Sequence, residues 1–290
     1  MTTKLRNELA RSGALLTVSC YDPLTARIAE DLGFRAVTMQ GWITGASLCI
    51  PEPLLSLTDL TIACKRITDA VQIPLIVDAG AGFGDEIHVI HTVRQFELAG
   101  AAGIHIEDQV FPKRARYHAG VKYIISKEEM VSKIKAAVEA RKDDDFVVVG
   151  RTDALQAVGG GIEEAIDRAK AYREAGADII MTLPRSLDDM RRIRSKVEGD
   201  LWVSPGTYGP TTISVKDCEA SGFKIVNYPL PSLLVAAEAV MKLFRAIKEG
   251  DMVKTLEHLG SADTIQEKVK QLIGIPELVN KEIASGKGIC

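Results

Sequence analysis

Along the chain, short apolar runs rich in valine and isoleucine alternate with longer stretches in which apolar residues return every third or fourth position. Eight runs of the first kind occupy 15–19, 36–39, 75–77, 103–106, 146–149, 178–181, 201–203 and 224–226. Continuous apolarity over so few residues suits a strand buried on both faces, as in a parallel sheet. Stretches such as 128–141 (EEMVSKIKAAVEAR) and 162–175 (IEEAIDRAKAYREA) carry the helical period instead. Several of these end on the same punctuation, Leu32-Gly33-Phe34, Ala99-Gly100-Ala101, Ala175-Gly176-Ala177 and Ser221-Gly222-Phe223. A glycine there closes the helix in a left-handed cap and feeds the next strand. Eight strand–helix repeats predict an α/β fold, a single (β/α)8 TIM barrel, with a doubly wound open sheet as the alternative that shares the alternation. Beyond the eighth run, 233–248 reads as the closing helix, and 264–281, with Gly274 and Pro276, as a helical tail that the barrel does not need. We expect one domain over 1–290, with 250–290 as a C-terminal helical extension whose apolar face meets a neighbouring subunit.

Composition narrows the function classes. With 46% hydrophobic and 26% charged residues, the 290-residue chain can bury a sizeable core. A net charge of −3, with the basic residues scattered, leaves no footprint for nucleic acid or an anionic membrane. No apolar run approaches the roughly 18 residues of a membrane span. The opening MTTKLRNE lacks the apolar stretch of a secretory signal, so a cytoplasmic location is expected. Cys20, Cys49, Cys64, Cys218 and Cys290 form no CxxC pair and are odd in number, which suits reduced thiols better than a zinc cage or disulfide framework. A small-molecule partner is the expectation that remains.

In a barrel of this kind, chemistry is read from the residues just past the strand ends, where side chains enter a common mouth. Here those positions are Tyr21-Asp22, Gln40-Gly41-Trp42, Asp78, Glu107-Asp108-Gln109, Arg151-Thr152-Asp153, Thr182, Thr207-Tyr208 and Asn227-Tyr228. Asp78 opens a glycine-rich turn, Gly80 to Gly84, and with Glu107 it could hold a hard cation such as Mg2+; the alternative is a turn carboxylate satisfied by backbone N–H groups. Of the adjacent Glu107 and Asp108, strand alternation lets one face the mouth. Arg151 suits a forked clamp on a substrate carboxylate, or a buried ion pair with Asp153 or Asp178. His105 lies inside a strand, as a satisfied core or layer residue. His88 and His91, one helical turn apart, suit a solvated face better than a metal. His118 belongs to the basic loop 111–120, a candidate lid.

Five ordered motifs, Tyr21-Asp22, Val77-Asp78-Ala79-Gly80-Ala81-Gly82-Phe83-Gly84, Ile104-His105-Ile106-Glu107-Asp108-Gln109, Pro112-Lys113-Arg114 and Gly150-Arg151-Thr152-Asp153-Ala154, resemble the isocitrate lyase and phosphoenolpyruvate mutase superfamily over nearly the whole chain. The resemblance implies a Mg2+-dependent enzyme, with Mn2+ as the other ion, that handles a small α-oxo or hydroxy di-acid through an enolate. It places Asp78, Glu107 and Asp108 at the metal and Gln40, Gly41 and Trp42 against the substrate. It also implies a homotetramer that exchanges its last helices.

Three departures narrow that reading. The family's metal loop reads Asp-Ala-Asp, and here its third position is Gly80. Lyases of the 2-methylisocitrate type carry Lys-Arg-Cys-Gly-His in the lid, the cysteine serving as acid, where this chain has Ala115-Arg116-Tyr117-His118. Their sixth strand ends in glutamate, here Leu183, while Gly206-Thr207-Tyr208-Gly209 looks like the Thr-Tyr-Gly of an oxaloacetate-decarboxylating branch. The chain is thus expected to be a carbon–carbon lyase, with oxaloacetate decarboxylation ahead of aldol-type cleavage of a substituted malate (2-methylisocitrate or dimethylmalate) and of a non-catalytic metabolite-binding barrel. Arg151 would bind the substrate carboxylate, with Asp78 and Asn227 beside it. Tyr21, Tyr117, His118 and Tyr208 are the candidate catalytic partners, and Trp42, Tyr208 and Leu233 shape the pocket.

Overall fold

The computed structural model describes residues 1–205, 213–251, 253 and 262–285. Helix α1 (Thr2–Ala10) precedes strands β1 (Leu15–Ser19), β2 (Val37–Met39), β3 (Leu75–Asp78), β4 (Gly103–Glu107), β5 (Val147–Arg151), β6 (Ile179–Met181), β7 (Asp200–Val203) and β8 (Ile225–Tyr228). They pair in chain order, and β8 closes on β1 in parallel with Leu15 opposite Ile225. Closure excludes the open doubly wound sheet. The crossovers are α2 (Pro23–Asp31), α3 (Gly41–Ser47) with α4 (Leu57–Ala70), α5 (Glu86–Leu98), α6 (Lys127–Ala140), α7 (Ile162–Glu174), α8 (Leu187–Arg194) and α9 (Val215–Ala220).

Strand alternation sorts the core into two parts. Val147 and Val149 of β5 gather with Leu15, Ile76, Ile179, Trp202 and Ile225, and Leu5 of α1 joins them, fully buried. Val148, between them, packs instead with Phe96, Ile134 and Tyr172 of the surrounding helices. Helix starts are marked locally: Asp22 caps α2 in a capping box with Thr25 and Pro23 at the first turn, and Ser56 and Ser214 form boxes with Asp59 and Asp217.

Strands β5 and β8 run past the apolar runs to include Arg151 and Asn227-Tyr228, because ladder hydrogen bonding does not depend on side-chain polarity. The tail expected as one helix is two, α11 (Ala262–Leu272) and α12 (Ile275–Ala284). Gly274, at φ +81°, and Pro276 in the first turn of α12 break it. Residues 1–230 form one compact unit and 231–290 another, so α10 (Pro231–Glu249) belongs with the tail rather than the barrel. Among the described residues, no helix is long and apolar enough to cross a membrane.

Candidate active site

The strand register aligns three polar ends. Glu107 of β4 stands opposite Arg151 of β5, and Asp78 of β3 opposite His105 of β4. Asp78 is held by its own turn: Gly80 donates its N–H to Oδ1 at 2.9 Å, and Gly41, at the start of α3, donates to Oδ2 at 3.1 Å. Burial works to raise this carboxyl, but His105, Lys113 and Arg151 outweigh it and hold the group at about 2, ionised at any physiological pH. The turn needs the glycine at 82. A Cβ at Gly82 would stand 2.4 Å from Val89, where φ is +81°.

Glu107 is fully buried, and that burial pushes its carboxyl up to about 7 against the opposing pull of Lys113 and Arg151. Oε1 lies 3.0 Å from Lys113 Nζ; Oε2 lies 3.0 Å from Arg151 Nη1 yet without hydrogen-bond alignment. Lys113 also meets Glu52 Oε1 at 2.7 Å. Although burial disfavours its charge, Glu107 and Glu52 keep the ammonium protonated. His118 Nε2 reaches the other oxygen of Glu52 at 3.1 Å. The loop 111–120 is therefore tied to Glu52, in the 3₁₀ turn Glu52–Leu54 after α3, by two of its side chains.

Arg151 is shared. Nε meets Asp153 Oδ1 at 3.0 Å, and Nη2 donates to the Tyr117 hydroxyl at 3.2 Å. Of the two ion-pair partners expected for this arginine it takes Asp153 and not Asp178, and it also lines the cavity, where a clamp on a substrate carboxylate would have to stand. Burial lowers His105 to about 4, so the ring is neutral and its Nε2 meets Gln40 Oε1 at 3.3 Å. Gln40 Nε2 is buried without a hydrogen-bond partner among the described residues. An unmet buried donor costs roughly 1–3 kcal/mol, which a bound oxygen acceptor would recover.

These groups surround a cavity of about 180 Å3. One part of its lining is polar: Gln40, Glu52, Asp78, Tyr117, His118, Arg151 and Ser204. The other is apolar: Trp42, Met181, Leu183, Pro229 and Leu230. The structure so brings together Gln40, Trp42, Asp78, Tyr117, His118 and Arg151, with Gly41 supplying its N–H and Glu107 one contact behind.

Other candidates lie elsewhere. Asp108 faces away from the mouth, where its carboxylate accepts from Thr152 at 2.7 Å, Tyr172 at 2.8 Å and the backbone of Asp153 at 2.9 Å, and pairs with Arg168 at 3.3 Å. With these partners its carboxylate is fully engaged in holding β5 to α7, on the side opposite Glu107 as strand alternation requires. Asn227 does not line the cavity: its Oδ1 accepts from Thr17 and Thr38 at 3.0 Å each and its Nδ2 donates to Ser19. That network knits β8, β1 and β2 inside the barrel. Tyr21 is half-buried and does not line the cavity. Tyr208 lies outside the described residues, and Leu233 belongs to the second unit. His88 pairs with Asp85 on the exposed face of α5, the solvated reading.

Sequence reasoning missed Glu52. It follows no strand, and its only signal is a carboxylate fixed between Pro51 and Pro53. It also gave Lys113 no role. Among the described residues, no three His, Cys, Asp or Glu side chains gather into a direct metal cage. Mg2+ does not require one, because it commonly keeps several waters and uses one or two carboxylates. Ionised Asp78 and the under-coordinated Oε2 of Glu107 are hard oxygen donors that fit such an ion.

Gly80, at φ +53°, has nothing within 4 Å of the position a Cβ would take. Aspartate tolerates that backbone region better than most residues. Gly80→Asp is expected to tighten Mg2+ binding about tenfold at a stability cost of about 1 kcal/mol. Titration calorimetry of both proteins checks this; an unchanged affinity would show that residue 80 does not reach the ion.

The comparisons agree with the geometry. A family profile described as phosphoenolpyruvate phosphomutase matches residues 5–248. The 2,3-dimethylmalate lyase of Eubacterium barkeri is 40% identical over 252 residues, covering 86% of each chain. A phosphonopyruvate hydrolase solved with oxalate and Mg2+ superposes with a TM-score of 0.85 at 31% identity, covering 97% of this chain and 98% of that one. An oxaloacetate acetylhydrolase solved with 3,3-difluorooxalacetate gives 0.87 at 29% identity, covering 98% and 97%.

Proposed function

The chain belongs to the phosphoenolpyruvate mutase and isocitrate lyase superfamily and is a carbon–carbon lyase, and from that premise we propose that it cleaves an alkyl-substituted malate, with Mg2+ held by Asp78 and Glu107. The observation that carries the choice is the apolar lining of Met181, Leu183, Pro229 and Leu230 beside Arg151. A small di-acid with alkyl groups on its central carbons fills such a wall, whereas oxaloacetate leaves it empty. This moves the preference from decarboxylation to aldol-type cleavage.

Each residue has a physical task. Arg151 clamps the carboxylate of the 2-hydroxy acid, its guanidinium already oriented by Asp153 and Glu107. Gln40, oriented by neutral His105, presents Nε2 to a substrate oxygen. Lys113 balances Glu52 and Glu107 and closes the lid side. When bound, Mg2+ supplies the positive charge that favours negative charge on the 2-position oxygen; Mn2+ has the same oxygen preference.

Pyruvate release from 2,3-dimethylmalate and from oxaloacetate, each with Mg2+, tests the choice. The dialkyl substrate is expected to win by about tenfold or more in kcat/KM for each buried methyl. Oxaloacetate as the better wild-type substrate would sink the malate reading. One observation favours decarboxylation as the second reading: the lid has Ala115 where a cysteine acid stands in lyases of the 2-methylisocitrate type, and an enolate can take its proton from solvent.

We also propose a homotetramer working in the cytoplasm. Helix α10 exposes Leu234, Val235, Met241, Phe244 and Ile247 and buries only Ala246 among its residues, and Cys20, Cys64 and Cys218 are free thiols in the interior. Sedimentation velocity measures the assembly directly.

A further inference from the structure

A second cavity, of about 300 Å3, is lined by Tyr117, His118, Gly120, Lys122, Gln156 and Arg185. Tyr117 and His118 line both this cavity and the candidate active site, and no other residue does, so these two side chains form the partition between them. The two linings differ in charge. Glu52 and Asp78 face the inner cavity beside Arg151, whereas the outer lining holds a lysine, an arginine and a histidine and no carboxylate.

The outer wall is knit together. Gln156 donates from Nε2 to the Leu183 carbonyl at 2.8 Å and accepts from Lys122 Nζ at 2.5 Å, so one side chain joins the Lys122 ammonium to the exit of β6, two residues before Arg185. Lys122 is 4% exposed, and the Asp153 carboxylate 3.7 Å away also serves Arg151. Burial lowers Lys122 to about 8 although Asp153 pulls the other way, so the ammonium is charged at pH 7 and short of negative charge.

Arg185 stands exposed at the rim, and its guanidinium makes no ion pair or hydrogen bond among the described residues. Asp189 accepts instead from its backbone N–H at 2.9 Å. An unpaired surface arginine is ordinary. One that shares a cavity with a buried ammonium, and with no acid, offers a small oxyanion two positive charges at once.

We propose that this outer cavity is an oxyanion site that captures the di-acid substrate by one carboxylate before it passes Tyr117 and His118 to reach Arg151. The inference rests on the reading of the inner cavity as the place where a small di-acid is cleaved, and not on which di-acid that is. The incoming dianion meets Arg185 first and the buried charge of Lys122 next, so positive charge lines the way in.

Succinate, a di-acid without a 2-position oxygen, probes the site by saturation-transfer NMR at pH 7, with Mg2+ and saturating oxalate present to fill the inner cavity. It is expected to bind the wild type under these conditions and to bind Arg185→Gln about fivefold or more weakly. The exposed, unpaired side chain makes this variant safe for folding. Equal succinate affinity in the variant, or loss of succinate binding from the wild type on adding oxalate, overturns the proposal.

A kinetic arm reads capture itself. For whichever of 2,3-dimethylmalate and oxaloacetate the wild type turns over, kcat/KM of Arg185→Gln is expected to be about fivefold lower at an ionic strength of about 0.01 M and to converge with wild type at about 1 M. A deficit that salt does not change, or no deficit at low salt, overturns the capture role. Turnover of neither acid counts against the lyase reading alone, and the succinate measurement still decides the outer site.

Discussion

Replacing Arg151 by alanine is expected to abolish oxalate binding and reduce turnover by about a thousandfold or more, the scale of removing a forked, charge-assisted clamp together with the partner that orients Tyr117. The alanine variant also leaves Glu107 and Asp153 as buried carboxylates without their shared cation, which costs about 3–5 kcal/mol. That stability loss could mimic a loss of function, so Arg151→Lys is the discriminating variant. Lysine keeps the charge between Glu107 and Asp153 but cannot form the planar fork. It should melt near the wild-type temperature while binding oxalate about 100-fold more weakly. Oxalate affinity within a few-fold of wild type in the lysine variant would remove Arg151 from the clamp and leave it as a structural ion.

The reason Arg151 could be found in the sequence, and Glu52 could not, is physical. Arg151 follows Val147-Val148-Val149-Gly150, and a charge after a fully buried strand has one place to go in a parallel barrel, the mouth. Asp78 and Glu107 were legible on the same ground, as was the barrel itself from eight short apolar runs. Glu52 reaches the mouth from a loop two turns beyond β2, and only tertiary folding carries it to Lys113. Sequence periodicity does not hold such information. Asn227 shows the opposite failure. It sits at a strand end, but the barrel interior also admits polar side chains where hydroxyls such as Thr17, Ser19 and Thr38 can satisfy them. The tail was legible as helix and not as two helices, since a helical period carries through Gly274 even where the backbone does not.

Asp108 supplies the sharpest separation between holding the fold and holding the metal. It and Glu107 are adjacent carboxylates, both fully buried, and a motif reading assigns both to the ion. Alternation sends them to opposite faces of β4 and its exit. Asp108 joins β5 to α7 through Thr152, Arg168 and Tyr172. Removing it takes their shared acceptor from a nearly buried guanidinium, a phenol and a hydroxyl, leaving Arg168 with Glu164 and the Ile125 carbonyl. Asp108→Ala is therefore expected to cost about 3–5 kcal/mol, lowering the melting temperature by roughly 10 °C, while the folded fraction keeps its Mg2+ affinity. Glu107→Gln should do the reverse, since an uncharged amide of the same shape keeps the packing, relieves a buried carboxyl already pushed up to about 7, and removes the charge that favours the cation. Thermal denaturation and Mg2+ calorimetry on the two variants form a crossed test. A loss of Mg2+ affinity in Asp108→Ala as large as that in Glu107→Gln would return Asp108 to the metal and overturn the division of labour between the two carboxylates.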